Sequence, residues 1–282
     1  MGRVLILGNS SGGLFDFRNE FVEALLKENQ VFVSVPDDVK TKELTEEGCQ
    51  VIQTSINRRG INPVEDLKLY RTYHNMMKEL KPDLVVTYTI KPNIYGGFCA
   101  GRLKIPYITT ITGLGGAFDR TGLLLQLIIH MYRAGLKKAA CVFFQNEENR
   151  SIFQKFGIMG KKERMVMGSG VSLPRHPYEP YPERDETHFL FVGRVMKERG
   201  ILEFLGAARK LHGDKVFFDI LGYCDEDYQE MLEECEKEGV IRQLGFHTQV
   251  HSYLADASAI VVASFHEGMS NALIEAAATG RP

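Results

Sequence analysis

Short apolar runs alternate with longer amphipathic segments along this chain. Six runs precede residue 150: VLIL, VFVSV, VIQT, LVVTY, YITTI and CVFFQ. Four more follow residue 186: HFLFVG, VFFDILG, VIRQLGF and AIVVAS. Apolar runs of this length, separated by helical patterns, are typical of parallel sheets with crossover helices. The pattern predicts an α/β protein with two doubly wound, Rossmann-like domains.

A proline-rich segment separates the two sets of predicted strands. Four of the ten prolines lie within SLPRHPYEPYPERDET, at Pro174, Pro177, Pro180 and Pro182. Proline lacks an N–H donor, so this segment is neither helix interior nor central strand. We predict an N-terminal domain at 1–170, a linker at 171–186 and a C-terminal domain at 187–282, with ligands bound in a cleft between the domains.

Composition and charge narrow the class of protein. The 282 residues are 44% hydrophobic and 25% charged, which fits about two globular domains. Residues 1–170 contain 23 Lys+Arg and 17 Asp+Glu, a net +6, whereas residues 171–282 contain 11 and 19, a net −8. The basic half favours an anionic substrate or membrane surface, and the absence of a long basic stripe argues against nucleic acid.

Location is predicted from the cysteines and the first residues. The five cysteines are scattered without metal-binding spacing, which indicates reduced thiols in the cytoplasm. The apolar run in MGRVLILG is too short for a signal peptide and predicts a buried strand. The segment GLLLQLIIHMYRAGLKK, 122–138, fits an interfacial membrane helix and a buried crossover helix equally well.

The turn after the first strand contains Gly8, Gly12 and Gly13. Glycine lets backbone N–H groups approach a phosphate or a sugar closely, although such glycines also occur as simple turn residues. Asp37 follows the second strand, where a nicotinamide-binding domain places a ribose-binding acid. An NAD-dependent oxidoreductase is therefore an alternative, although the chain has no Tyr-x-x-x-Lys pair.

The second half of the chain contains two candidate clusters of charge. Arg194 and Arg199 follow a strand end, where two guanidinium forks suit a diphosphate. Glu267 and Glu275 flank a predicted helix start at Ser270, and helix N–H groups there favour an anion. Solvated surface charges are the alternative interpretation of both pairs.

Two loops of the first half are predicted to contact phosphate or acceptor. Lys91 follows one predicted strand, and Thr112 and Gly113 follow the next. Strand ends of a doubly wound sheet line the ligand crevice. No His or Asp lies within ITGLGG, so no polar catalyst of this half is named.

Four motifs together resemble the family 4 retaining glycosyltransferases of GT-B fold: FVGRVMKERG, GSGV, the Glu-x7-Glu segment and AAATGRP. The segments VVTYTIKPNIYGG, IPYITTITGLGGAF and VFFQNEENRSIFQKFG resemble bacterial enzymes that extend polyprenyl-diphosphate-linked glycans for surface polysaccharides such as capsule and lipopolysaccharide. The resemblance implies transfer of a sugar, with retention, from a UDP-sugar to a lipid-linked or polysaccharide acceptor at the inner face of the membrane.

The resemblance also assigns roles to residues. It implies that Glu267 is catalytic beside the transferring sugar and that Glu275 binds the ribose. The implied donor-binding residues are Arg194, Arg199, Gly268, Met269, Ser270, Asn271 and Glu275. Arg199 stands where the family usually has Lys. Arginines and N–H groups can stabilise the leaving diphosphate, so no metal and no cofactor is expected. The acids at 225–227 resemble a metal-binding Asp-x-Asp, but a helix N-terminal turn explains them better.

The chain ends soon after the Glu-x7-Glu segment, at Pro282. In a complete GT-B enzyme the second sheet continues beyond this helix. We therefore expect an incomplete second domain and activity near background. An inactive sugar-nucleotide-binding fragment is a third alternative.

Overall fold

The structure of the protein is a computed structural model that describes residues 1–57, 62–114, 118, 121–224, 227–265 and 267–282. The chain divides into two compact units, Met1–Ser169 (unit 1) and Gly170–Pro282 (unit 2). Each unit contains one parallel sheet with apolar clusters on both faces. The predicted α/β class with two doubly wound sheets is confirmed.

Unit 1 contains seven parallel strands in the order β3-β2-β1-β4-β5-β6-β7. The strands are β1 Gly2–Leu7, β2 Asn29–Val35, β3 Gln50–Gln53, β4 Leu84–Tyr88, β5 Tyr107–Ile111, β6 Cys141–Phe144 and β7 Glu163–Met165. The first six fall in the predicted apolar runs. The sequence pattern missed β7, because this edge strand is three residues long and mostly polar.

Helices cover both faces of this sheet. They are α1 Ser11–Leu26, α2 Thr41–Glu46, α3 Pro63–Leu80, α4 Gly97–Leu103, α5 Gly122–Leu136 and α6 Glu147–Lys155, with a π-helical segment at Pro92–Gly96. Side-chain caps explain several starts. Asn62 accepts the Val64 N–H at 3.1 Å before α3, with Pro63 at the first helical position.

Unit 2 contains four parallel strands in the order β10-β9-β8-β11. The strands are β8 Thr187–Val192, β9 Val216–Leu221, β10 Arg242–Gly245 and β11 Ala259–Ile260. The helices are α7 Ile201–Leu211, α8 Gln229–Lys237, α9 His251–Asp256 and α10 Asn271–Thr279, and a 3-10 turn forms at Lys197–Arg199.

Both sheets reverse their strand order at one point. In unit 1 the reversal lies between β1 and β4, and in unit 2 it lies between β8 and β11. Loops leave such neighbouring strands in opposite directions and open a crevice at the carboxyl ends of the strands. Each unit therefore has its own crevice at a switch point.

The proline-rich segment packs on unit 2. Within the described residues, 171–186 form no helix or strand. The buried guanidinium of Arg281 donates to the carbonyl oxygens of Glu179 at 2.9 Å and of Pro180 at 2.8 Å, and it also donates to Ala255 O. These contacts tie the segment to α9 and to the end of α10, so the boundary between the units precedes it.

The five cysteines differ in burial. All five have free thiols, and Cys49, Cys99 and Cys235 are buried. Burial raises the pKa of Cys49 to about 11 and that of Cys99 to about 12. These two thiols are therefore protonated at neutral pH and unreactive.

We expect Gly222→Ala to destabilise unit 2, because a Cβ at Gly222 would overlap the carbonyl oxygen of Gly193 at the ends of β9 and β8. Overpacking of this kind costs about 1 to 3 kcal/mol. The matched control is Gly206→Ala in α7, where a Cβ meets nothing within 4 Å. Removing a helical glycine should stabilise by about 0.5 to 1 kcal/mol.

Urea unfolding followed by circular dichroism measures both variants, since the chain has no Trp to report by fluorescence. Equal effects of the two substitutions would contradict the close approach of these two loops.

Candidate active site

The loops after β8 and β11 meet at the switch point of unit 2. The first loop contains the Lys197–Arg199 turn followed by Gly200, whose φ is +75°. A Cβ at Gly200 would overlap the carbonyl oxygen of Ala263, so only glycine allows this approach. The Phe265 N–H also donates to Glu198 O at 3.0 Å. The backbone thus brings the arginine turn against the loop that leads into α10.

This approach brings together three of the predicted site residues. Nη1 of Arg199 forms an ion pair with Oε1 of Glu267, and their side chains are 35% and 23% exposed. Burial lowers the pKa of Arg199, and the positive charge of Arg194 lowers it further. Two neighbouring guanidinium groups of like charge form a setting in which a diphosphate is favourable.

The predicted N–H donors lie at the start of α10. Ser270 occupies the N-cap position and is buried, and its side chain makes no capping hydrogen bond. Gly268 is buried and Met269 is half-buried. The first-turn N–H groups of a helix have no partner within the helix and suit an anion. The buried Oδ1 of Asn271 has no hydrogen-bond partner in the described part of the chain.

Glu275 occupies a different environment from Glu267. It is buried within α10, and its Oε1 lies 3.7 Å from Nε2 of His176 in the proline-rich segment. Within the same helix, Thr279 Oγ1 donates a hydrogen bond to the carbonyl oxygen of Glu275 at 2.8 Å. The structure therefore separates the two glutamates, and the ribose-binding role of Glu275 stays a prediction.

A cavity of about 320 Å³ lies at the carboxyl ends of β8, β9 and β10. Two exposed aromatic residues line it, Tyr223 directly after Gly222 and Phe246 directly after Gly245. Their ring centroids are 5.5 Å apart with an interplanar angle of 80°. The apolar pattern of the sequence does not distinguish these two residues, although each aromatic follows a glycine at a strand end.

The glycine turn of unit 1 is built by side-chain hydrogen bonds. Ser10 caps α1 and accepts the Gly13 N–H at 3.2 Å, and Gly12 is buried in the first turn. Asp37 accepts the Ser11 N–H at 2.8 Å and also the Ser11 hydroxyl. Asp37, the acid that suggested the oxidoreductase alternative, therefore stabilises this turn through hydrogen bonds.

The other predicted residues of unit 1 follow two neighbouring strands, β4 and β5. Lys91 forms a buried ion pair with Asp66, with 2.6 Å between Nζ and Oδ1, which neutralises its charge. Thr112 and Gly113 are half-buried after β5, and the residues at 115–117 lie outside the described part of the chain.

Metal binding receives no support from the described residues, which contain no group of three or more His, Cys, Asp or Glu able to hold a metal ion. Asp225 and Glu226, the first two acids of the Asp-x-Asp-like segment, lie outside the described residues. The expectation of no metal thus stays a prediction.

Comparison with protein families identifies the class. Residues 3–146 match the glycosyl transferase 4-like family, and residues 186–282 match the glycosyl transferases group 1 family. The chain belongs to the glycosyl transferase 4-like family and is a glycosyltransferase of GT-B fold.

Individual relatives agree with this class. The chain is 27% identical to the N,N'-diacetylbacillosaminyl-diphospho-undecaprenol alpha-1,3-N-acetylgalactosaminyltransferase of Campylobacter jejuni, over 99% of this chain and 79% of that protein. It is 23% identical to the UDP-Gal:alpha-D-GlcNAc-diphosphoundecaprenol alpha-1,3-galactosyltransferase of Escherichia coli, over 79% of this chain and 62% of that protein. The structure of Anabaena HepE in complex with UDP and glucose has a TM-score of 0.77 at 15% identity, covering all of this chain and 80% of HepE.

We expect the free energy of unfolding of unit 2 to fall as the pH is lowered from about 7.5 to 5. Burial lowers the pKa of His176 below the ordinary value of a histidine, and the charges of His251 and Arg175 lower it further. The unfolded chain therefore takes up more protons than the folded chain as the pH falls through about 6.5. His176→Phe should flatten this dependence.

Urea unfolding at several pH values provides the measurement. The control is His130→Phe, which removes an exposed imidazole of unit 1. The same pH slope in the wild type and in His176→Phe would contradict a neutral, buried His176.

Proposed function

We propose that this glycosyltransferase transfers a sugar, with retention of anomeric configuration, from a UDP-sugar to an undecaprenyl-diphosphate-linked acceptor. The proposal of a UDP-sugar donor is supported by the cluster of Arg194, Arg199 and Glu267 at the switch point of unit 2. The acceptor half rests on the two relatives, whose names record diphosphoundecaprenol-linked acceptors.

Donor binding is proposed to extend along the carboxyl edge of the second sheet. Arg194 and Arg199 contact the diphosphate, and the first N–H groups of α10 contribute further hydrogen bonds. The uracil base occupies the cavity beside Tyr223 and Phe246, where flat aromatic surface favours a planar ring. Support for uridine comes from the complex of HepE with UDP and from the UDP-Gal donor named for the Escherichia coli relative.

The proposed reaction breaks the bond between the anomeric carbon and the diphosphate oxygen. A new bond forms from that carbon to an acceptor hydroxyl, whose proton leaves with the diphosphate or with solvent. Negative charge grows on the diphosphate in the transition state, and fixed guanidinium groups stabilise such charge without reorganising. Glu267 is proposed to contact the transferring sugar once the diphosphate replaces its carboxylate at Arg199. Both relatives are named for alpha-1,3 products, which a retaining enzyme makes from an alpha-linked donor.

We expect substitutions of the arginines to weaken UDP binding and substitution of Glu267 not to weaken it. Arg194→Ala should weaken UDP binding by about 1.5 to 3 kcal/mol, because a hydrogen bond to a charged group is lost. Glu267→Gln should leave UDP affinity unchanged or raise it, since its carboxylate competes with the diphosphate for Arg199. In any form of the protein that turns over, Glu267→Gln should lower kcat, because it removes a transition-state interaction.

Isothermal titration calorimetry with UDP measures these affinities, and NAD serves as the ligand of the rejected alternative. Lys210→Ala is the control, because it removes an exposed cation of α7. Unchanged UDP affinity in Arg194→Ala, or tighter binding of NAD than of UDP, would contradict the donor proposal.

Attachment to the membrane is proposed through α5. One face of α5 is core, with Ile128, Ile129 and Tyr132 buried. The other face exposes Leu123 and Leu127, which are 91% and 49% exposed. Among the described residues, no helix combines the length and apolar composition needed to cross a bilayer. The net +6 of residues 1–170 favours anionic lipid beside this face.

We expect the protein to sediment with anionic liposomes at low salt and to be released as salt rises. Lys137→Gln should weaken the partition by about 1 kcal/mol, the contribution of one basic residue near a charged surface. Leu127→Glu should weaken it further by opposing insertion of the apolar face. The control is Leu67→Glu, an equally exposed leucine of α3. Binding to neutral vesicles as strong as to anionic ones, or unchanged binding of Leu127→Glu, would contradict membrane attachment through α5.

A further inference from the structure

Arg18 of α1 is a partly buried cation that contacts a carbonyl oxygen and an aromatic ring. Its backbone departs from helical geometry (φ −142°, ψ 18°) inside α1. Its Nη1 donates to the carbonyl oxygen of Gly13 at 2.8 Å, and its guanidinium lies 4.6 Å from the ring centroid of Tyr88. Burial lowers the pKa of this guanidinium. In the described part of the chain, no carboxylate pairs with it.

The place of Arg18 in the sheet is that of a ligand-binding group. Gly13 belongs to the turn after β1, and Tyr88 is the last residue of β4. These two strands are neighbours at the switch point of unit 1, where the crevice of a doubly wound sheet opens. Arg18 therefore lies at the switch point of unit 1, and Arg199 lies at the switch point of unit 2.

The chain beside Tyr88 is strained and incompletely hydrogen-bonded. Thr89 has φ +70°, a conformation rare for a β-branched residue, and it leads toward the π-helical segment Pro92–Gly96. Thr89 Oγ1 and Asn93 Oδ1 are both buried without a hydrogen-bond partner among the described residues. Strained backbone, π-helical turns and unsatisfied polar atoms concentrate at functional sites.

A structural role alone does not account for Arg18. A cation removed from water is destabilising unless it is paired, and an aromatic face with one carbonyl compensates only part of this. A guanidinium held by a ring and a carbonyl oxygen keeps its remaining N–H groups in one plane, because the group itself is planar. That geometry matches two oxygens of a phosphate group.

We propose that Arg18 binds the phosphate oxygens of a diphosphate group in the crevice of unit 1. The proposed source of this group is the lipid-linked acceptor, a step that rests on the acceptor class proposed above. Lys91, the cation that the sequence pattern indicated for this region, is neutralised by Asp66 and does not take this role.

Calorimetry on the full chain tests the proposal with two probes, geranyl diphosphate for the acceptor and UDP for the donor. Arg18→Met should weaken geranyl diphosphate binding by about 10- to 100-fold, the loss expected for hydrogen bonds to a charged group. Arg71→Met, the same substitution at an exposed arginine of α3, should change it by less than about twofold. Arg18→Lys keeps the charge without the fork and should show intermediate affinity.

Thermal unfolding without ligand separates binding from structure. Arg18→Met should unfold at the same temperature as the wild type or higher, because it removes a partly buried charge that no carboxylate compensates among the described residues. An arginine with a structural role only would give a lower unfolding temperature and unchanged affinity, and that result overturns the proposal. If Arg18→Met does not fold, the affinity of Arg18→Lys decides.

The two probes also identify the source of the phosphate. Weaker binding of geranyl diphosphate, with UDP unaffected, supports the acceptor. Weaker binding of UDP alone supports a phosphate site that serves the donor. No change for either probe overturns the proposal. If the wild type binds geranyl diphosphate through Arg18 but does not bind UDP, the donor proposal fails and the Arg18 site stands.

Discussion

The close approach of two loops at Gly200 is the constraint on which the candidate donor site depends. A positive φ at Gly200 and the absence of a Cβ let the β8 loop lie against Ala263. A backbone hydrogen bond from Phe265 to Glu198 then fixes the register of the loops. These backbone contacts position the two loops that carry Arg199 and Glu267. Preorganised charge of this kind is what stabilises a leaving diphosphate efficiently.

Each unit has an arginine at the switch point of its sheet, and the charges around the two arginines differ. In unit 2, Arg199 is held by an ion pair with Glu267, so the ligand-free site is compensated and an incoming anion must displace a carboxylate. In unit 1, Arg18 is held by the ring of Tyr88 and a single carbonyl, so an incoming anion displaces no carboxylate. Compensation stabilises the ligand-free protein, whereas its absence leaves more of the anion's interaction energy available for binding.

Much of the fold and part of the site follow from local sequence. Apolar periodicity located ten of the eleven strands, because each run has to bury side chains on both faces of a parallel sheet. Ser270 marked the start of α10 by its residue type, although its side chain makes no capping hydrogen bond in the structure. The sequence could not show which of the two cations, Lys91 or Arg18, has a carboxylate partner. Lys91 pairs with Asp66, 25 positions away, and Arg18 contacts the ring of Tyr88, 70 positions away. Contacts over such distances along the chain depend on the folded structure.

Arginine at position 199 has a physical consequence beyond conserving charge. An ammonium group carries its three donors on a single nitrogen, so a carboxylate and a phosphate both have to approach that one atom on lysine. A guanidinium presents donors on three nitrogens in one plane, and Nη1 of Arg199 takes part in the ion pair with Glu267. In the proposed mode of donor binding, such a fork can bridge a carboxylate and a phosphate through different nitrogens, which a single ammonium nitrogen does less readily. Arginine at this position therefore favours an exchange of carboxylate for diphosphate in which the partly buried cation keeps a partner.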